Sequence, residues 1–126
     1  MRILLALLRL LGTMQIALGL AFWLGYAITW IPIHMAVGVA FVLVLWTIGF
    51  AGAYQTRNLS LAVGAFGWGI LTAAIGATQQ RVLIGDLHWI VRVVHLIVSV
   101  VGLPLGALIV ARAQTHQAAR AASATT

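Results

Sequence analysis

The chain has 126 residues, of which 63% are hydrophobic and 6% charged, and its formal net charge is +6. With a mean hydropathy of +1.13, it has too little charge to cover the surface of a soluble domain, so the composition predicts an integral membrane protein. The basic residues are all arginines that stand singly and form no basic patch, so we expect no nucleic acid partner. The absence of cysteine excludes disulfides, thiolate metal sites and the motif for covalent haem attachment.

Four apolar stretches are each long enough to cross a bilayer core of about 30 Å as a helix. They cover residues 3–27, 33–54, 59–79 and 87–111. The connections between them are short, so residues 1–111 are predicted to form an all-α membrane protein, a four-helix transmembrane up-down bundle. Residues 112–126 are small and polar and lack a core-forming pattern, so we predict a disordered cytoplasmic tail there.

The connections carry residues that begin helices. Pro32 suits the first turn of the second helix, because its missing N–H has no partner at that position anyway. Asp86, the only acidic residue, follows Gly85 directly before the fourth helix and is a predicted N-cap. Three tryptophans near these connections predict an aromatic belt at the outer membrane interface: Trp23, Trp30 and Trp89.

The arginines are distributed unequally between the two ends of the predicted bundle. Arg81 lies at the end opposite the termini, with Arg92 just inside the fourth span. The end with both termini carries the other five: Arg2, Arg9, Arg57, Arg112 and Arg120. Positive charge favours the cytoplasmic side, so we expect both termini in the cytoplasm, in a bacterial plasma membrane. The second and fourth helices then begin at the outer face.

Histidines occur near the start of both of these helices. His34 lies two residues past Pro32, and His88 lies two residues past Asp86. His95 follows His88 by seven residues, or about 10.5 Å of helical rise, so these two share one face. The second and fourth helices of an up-down bundle lie diagonally across its core and can face each other. Ionisable groups within membrane spans usually face the bundle interior.

Imidazoles from two facing helices are the usual protein ligands of a six-coordinate haem iron. His34 is the predicted ligand from the second helix. Its partner is His95 or His88, and His95 is slightly favoured because it is the deeper of the two. Arg92, one turn from each of these histidines, and Arg81 are candidates to bind haem propionates. The implied cofactor is haem b, held without a covalent bond, and no catalytic residue is indicated because neither a buried acid nor an activated nucleophile is present.

Two other classes of function stay open at this point. Histidines in membrane helices also form hydrogen bonds between helices. The chain would then be a cofactor-free structural subunit of a membrane complex. A haem carrier or sensor is the second alternative.

Two segments resemble the helix–loop–helix unit of the haem A synthase family. They are residues 14–46, MQIALGLAFWLGYAITWIPIHMAVGVAFVLVLW, and residues 70–102, ILTAAIGATQQRVLIGDLHWIVRVVHLIVSVVG. That family has two four-helix halves, each with a haem-ligating histidine on its second and on its fourth helix. The resemblance therefore implies haem ligation by His34 together with His88 or His95. This chain corresponds to one half, and Ile31 stands where the synthase carries its carboxylate, so the resemblance implies haem binding without haem A synthesis.

The sequence thus predicts a small membrane b-type cytochrome that holds haem near the outer leaflet. Histidine at both axial positions favours one-electron transfer over oxygen chemistry. An electron-transfer protein or an accessory subunit is favoured over a stand-alone enzyme. The expected partners are the lipid bilayer and a quinol, a periplasmic electron carrier or a larger membrane redox complex.

Overall fold

Long helices account for nearly all of the computed structural model, which describes residues 1–124. Every helix is long and apolar enough to cross a membrane, and the described residues contain no strand. The predicted all-α, four-helix membrane architecture is therefore confirmed. The helices are α1 (Arg2–Trp23), α2 (Ile31–Thr56), α3 (Leu59–Thr78) and α4 (His88–Ser123).

Helices α2 and α4 form the centre of the bundle. Each of them packs against all three other helices, whereas α1 and α3 flank the pair. The second and fourth helices therefore face each other, as the sequence predicts for an up-down bundle. This arrangement brings the first turns of α2 and α4 together at one end of the molecule.

The first connection reverses the chain through left-handed backbone. Gly25 has φ +82°, a conformation that glycine adopts without steric cost, and Ala27 has φ +54°. A 3₁₀ turn at Ile28–Trp30 then leads into α2, and Pro32 lies in the first turn of that helix, as predicted.

The second connection is the shortest in the molecule. Helix α2 ends at Thr56, its C-cap Arg57 has φ +56°, and the next residue caps α3. The side-chain oxygen of Asn58 accepts a hydrogen bond from the backbone N–H of Ser60 at 3.1 Å. This N-cap satisfies one of the backbone donors that a helix start leaves without an intrahelical partner.

The third connection differs from the sequence prediction. A 3₁₀ turn at Gln79–Arg81 follows α3, and the N-cap of α4 is Leu87, without a side-chain hydrogen bond. The predicted N-cap at Asp86 is therefore wrong. The backbone N–H of His88 donates to the carbonyl of Gly85 at 3.0 Å, so Asp86 lies inside a tight turn that precedes the helix.

Helix α4 is longer than the predicted span. Residues 112–123 continue it to Ser123, where the sequence predicts a disordered tail. Alanine is frequent here and is the strongest helix former. Tertiary contacts also hold the segment: Ala113 is fully buried, and the Gln117 side-chain amide donates to Oε1 of Gln55 at 3.1 Å.

The hydrophobic core lies at the end that carries the amino terminus and the α2–α3 turn. We call residues 1–14, 39–71 and 96–113 the packed half. A Cβ added at Gly49 would collide with the Cβ of Ala65, and one added at Gly106 would collide with Leu8. Glycine therefore lets these helices approach closely. The buried cluster consists of Leu8, Phe41, Val42, Leu45, Ile48, Leu61, Ala65, Ile109 and Val110.

The opposite end, residues 15–38 and 72–95, is the histidine half. Thr72 and Val91 are its only buried residues. Half-buried polar side chains occupy its interior instead: Gln15, His34 and His95. The two halves of the same four helices thus have interiors of different chemistry.

Candidate functional site

His34 lies in the first turn of α2 and packs against α1. The centre of its ring is 5.3 Å from that of Phe22, and the rings are inclined by 71°, an edge-to-face contact. A Cβ added at Gly19, three residues before Phe22, would be 3.8 Å from Cε1 of His34. Gly19 and Phe22 therefore form a surface of α1 that holds the imidazole. Its Nδ1 atom is buried and has no hydrogen-bond partner.

His95 lies in the second turn of α4 and packs against α3. A Cβ added at Gly76 would be 3.1 Å from Cε1 of His95, which is tighter than ordinary contact. The imidazole can lie against α3 because Gly76 has no side chain. The Nδ1 atom of His95 is also buried without a hydrogen-bond partner.

The two imidazoles meet in the interior of the bundle. Their ring centres are 6.5 Å apart and their planes are inclined by 64°. His34 and His95 come from the central helices α2 and α4, and Gly19 and Gly76 from α1 and α3 adjoin the rings. Each of the four helices therefore contributes a residue to this histidine pair.

A third polar group lies close to the pair. Gln15 of α1 contacts Gly38, which is one helical turn after His34 on α2. The Oε1 atom of Gln15 is buried without a hydrogen-bond partner. Buried polar atoms are normally paired, so unpaired groups at this position point to a ligand or another functional constraint.

The other predicted site residues lie outside the pair. His88 is the first residue of α4, and its Nδ1–H donates to the carbonyl of Val82 at 3.2 Å. Arg92 is exposed on α4, between His88 and His95. Arg81 is exposed in the 3₁₀ turn that follows α3. The structure therefore brings together His34 and His95 and leaves His88 bonded to the α3–α4 connection.

Phe22 was not among the predicted site residues. Its signal in the sequence is weak, because an aromatic residue three positions after a glycine is common on apolar helices. Gly19 and Gly76 each have an imidazole as a neighbour, and glycines on apolar helices give no signal in the sequence for such a contact.

A site with two histidines suits a cofactor that supplies further donor atoms. Among residues 1–124, no three His, Cys, Asp or Glu side chains come together, whereas a zinc cage needs three or four protein ligands. Haem supplies four nitrogens of its own and leaves two axial positions to the protein. A metal–imidazole bond of about 2 Å, and about 1.1 Å from that nitrogen to the ring centre, place two rings on opposite sides of one metal about 6.2 Å apart. The observed separation of 6.5 Å fits this requirement.

An open apolar depression of about 220 Å³ lies at the surface of this part of the bundle. It lies between the end of α3 and the first turns of α4, and Ile75 and Val94, which line it, are sequence neighbours of Gly76 and His95. The other lining residues are Thr78, Val82, Leu83, Ile90 and Val91.

Comparison of the chain with protein-family models, with curated proteins and with solved structures finds no match.

Proposed function

We propose that this chain is a small membrane b-type cytochrome in which His34 and His95 are the axial ligands of haem b. The observation that carries the proposal is the pair of facing imidazoles on the central helices, 6.5 Å apart, each with a buried Nδ1 atom that has no partner. A buried polar atom without a partner costs about 1–3 kcal/mol. Two such atoms in one place are therefore expensive unless they serve a ligand.

The surroundings of the pair support the same function. Coordination uses one nitrogen of each ring, and the other ring N–H of a metal-bound histidine usually donates a hydrogen bond. Gln15 offers an unpaired carbonyl oxygen one turn from His34, which has the chemistry needed to accept that bond. Gln15 is therefore the candidate to orient His34.

The chain's own residues hold the cofactor and limit its chemistry. Haem with two axial imidazoles supplies one-electron transfer and has no open position for oxygen. Gly19 and Gly76 leave room for the rings, and Phe22 restrains the orientation of His34. Arg92, one turn before His95, and Arg81 are the candidates to neutralise propionates.

The membrane orientation follows from the arginines. Five of the seven lie at the end with both termini, so we propose that both termini are cytoplasmic and that the histidine half faces outward in a bacterial plasma membrane. Electrons would then be exchanged at the outer side with a quinol, a periplasmic carrier or a larger membrane redox complex to which this chain is an accessory subunit.

Absorption spectra of the purified protein, oxidised and reduced, test the proposal. We expect a Soret band and the sharp bands of a low-spin b-type haem in the reduced protein. Absence of a Soret band after expression with sufficient haem would contradict the proposal and favour a structural subunit. Rapid transfer of haem to a strong haem acceptor would favour a carrier.

Two histidine variants on the same helix identify the ligand. His95→Ala should give a five-coordinate or empty protein, because it removes one ring of the pair. His88→Ala is the matched control and should keep the low-spin spectrum, because its ring is bonded to Val82 in the connection. The reverse result would assign the ligand to His88 and contradict the proposed pair.

A further inference from the structure

A second polar site lies at the opposite end of the molecule, away from the histidine pair. A pocket of about 210 Å³ opens between the end of α2 and the extension of α4 beyond Arg112. The hydrogen bond between Gln55 and Gln117 joins these two elements and fixes the pocket wall. The pocket is lined by Tyr54, Gln55, Arg57, Gln117 and Arg120.

The charge in this pocket is uncompensated. Neither Arg57 nor Arg120 makes a side-chain hydrogen bond or ion pair with any part of residues 1–124. The chain's only acidic side chain, Asp86, lies in the α3–α4 connection at the other end of the bundle. Two guanidinium groups that face one polar pocket favour a phosphate, because they can bind its oxygens with several charge-assisted hydrogen bonds.

The length of α2 gives the depth of the pocket. Its 26 residues rise about 39 Å, whereas the hydrocarbon core is about 30 Å thick and the whole bilayer about 40–45 Å. The last turn of α2, with Tyr54 and Gln55, therefore reaches the layer of lipid headgroups. Tyrosine is typical of this layer, and Tyr54 is largely exposed.

We infer that this pocket binds the phosphate group of an anionic phospholipid, held by Arg57 and Arg120. Tyr54 and the amides of Gln55 and Gln117 supply further polar groups for the headgroup. The inference is independent of haem binding, because the pocket lies in a different half of the molecule. Free phosphate has the same chemistry, but the position in the headgroup layer favours the lipid.

Lipid binding to the full-length protein tests the inference. Native mass spectrometry would count bound phosphatidylglycerol and, separately, zwitterionic phosphatidylcholine on the detergent-purified protein. The variant Arg57→Gln/Arg120→Gln removes two charges from the pocket. A guanidinium group that binds the phosphate directly contributes about a factor of ten through charge-assisted hydrogen bonds, so we expect about 100-fold weaker phosphatidylglycerol binding when both are lost.

A matched control separates a site from a general charge effect. Arg2→Gln/Arg112→Gln removes the same charge from the same end of the molecule but leaves the pocket intact, so it should lose only the general attraction, at most about a factor of five per arginine. Circular dichroism and haem absorption should be unchanged in both variants. Equal losses in both variants, or displacement of the lipid by millimolar inorganic phosphate, would overturn the inference.

Discussion

Glycine has a different structural role in the packed half and in the histidine half of this bundle. In the packed half, Gly49 faces Ala65 and Gly106 faces Leu8, so the missing side chain lets two helices touch. In the histidine half, Gly19 and Gly76 face imidazole rings, so the missing side chain leaves room for a polar group. The packed half has the buried apolar cluster, and the histidine half has the unpaired imidazole nitrogens of His34 and His95. Stability and ligand binding are therefore expected to depend on different ends of the same helices.

The largest difference between the halves should appear on removal of His34. His34→Ala should reduce the haem content to background, because no other imidazole on α2 can replace it. The helices should remain, because His34 is not part of the buried cluster. The haem-to-protein ratio and circular dichroism measure the two effects. His116→Ala, on the distal part of α4, is the control and should keep the haem. Full haem content in His34→Ala would contradict the proposal that His34 is a haem ligand.

Substitutions that disturb helix packing in the packed half should lower the stability of the protein rather than its haem content. Gly49→Ala should lower the free energy of unfolding by about 1–3 kcal/mol, because the new Cβ meets Ala65 and lies 3.3 Å from the backbone oxygen of Leu61, which cannot turn away. Gly67→Ala on α3 is the control, since nothing lies within 4 Å of a Cβ there. Unfolding in detergent measures both. Equal stability of the two variants would mean that the α2–α3 contact is looser than described.

The connections at the two ends also differ, and a pair of alanine variants compares them. Asn58→Ala should cost about 1 kcal/mol of unfolding free energy, because it removes the N-cap of α3. Asp86→Ala should change it by less than about 0.5 kcal/mol, because Asp86 caps no helix. A larger loss of unfolding free energy in Asp86→Ala than in Asn58→Ala would show that the side chain of Asp86 stabilises the α3–α4 connection.

A small effect on stability is expected at Gly76. A Cβ there would be 3.1 Å from Cε1 of His95, and a side chain can shift by a few tenths of an ångström more easily than a backbone can. Gly76→Ala should therefore change the free energy of unfolding by less than about 1 kcal/mol. It should nevertheless shift the absorption bands and the midpoint potential of the haem-loaded protein. Gly64 faces open space, so Gly64→Ala should leave the absorption bands and the midpoint potential unchanged. Identical spectra for the two variants would show that Gly76 is not part of the haem site.

The fold was predictable because crossing a membrane requires about 20 apolar residues in succession, a property that the sequence displays directly. The position at which α4 ends was not predictable from the sequence. Alanines mixed with polar residues occur in disordered segments and in surface helices alike. The buried side of Ala113 and the hydrogen bond from Gln117 to Gln55 hold residues 112–123 in the helix, and such contacts are visible only in three dimensions.

The histidine pair was predictable only in part. Helical periodicity puts His88 and His95 on one face, and it left open which of the two lies against His34. In the structure α4 begins at His88 itself, whereas α2 begins three residues before His34. The ring that adjoins His34 belongs to His95, because the ring of His88 turns back to Val82.

The position of the histidine pair along its helices limits how strongly it can sense membrane voltage. His34 and His95 lie about 5 Å and 10 Å of helical rise from the starts of α2 and α4, in a hydrocarbon core of about 30 Å. A charge that reaches the pair from that face crosses at most about a third of the transmembrane field. For a potential of 100 mV this amounts to about 0.8 kcal/mol, compared with about 2.3 kcal/mol for a full crossing. If the pair holds haem as proposed, an electron that enters and leaves at that face would therefore do little electrical work.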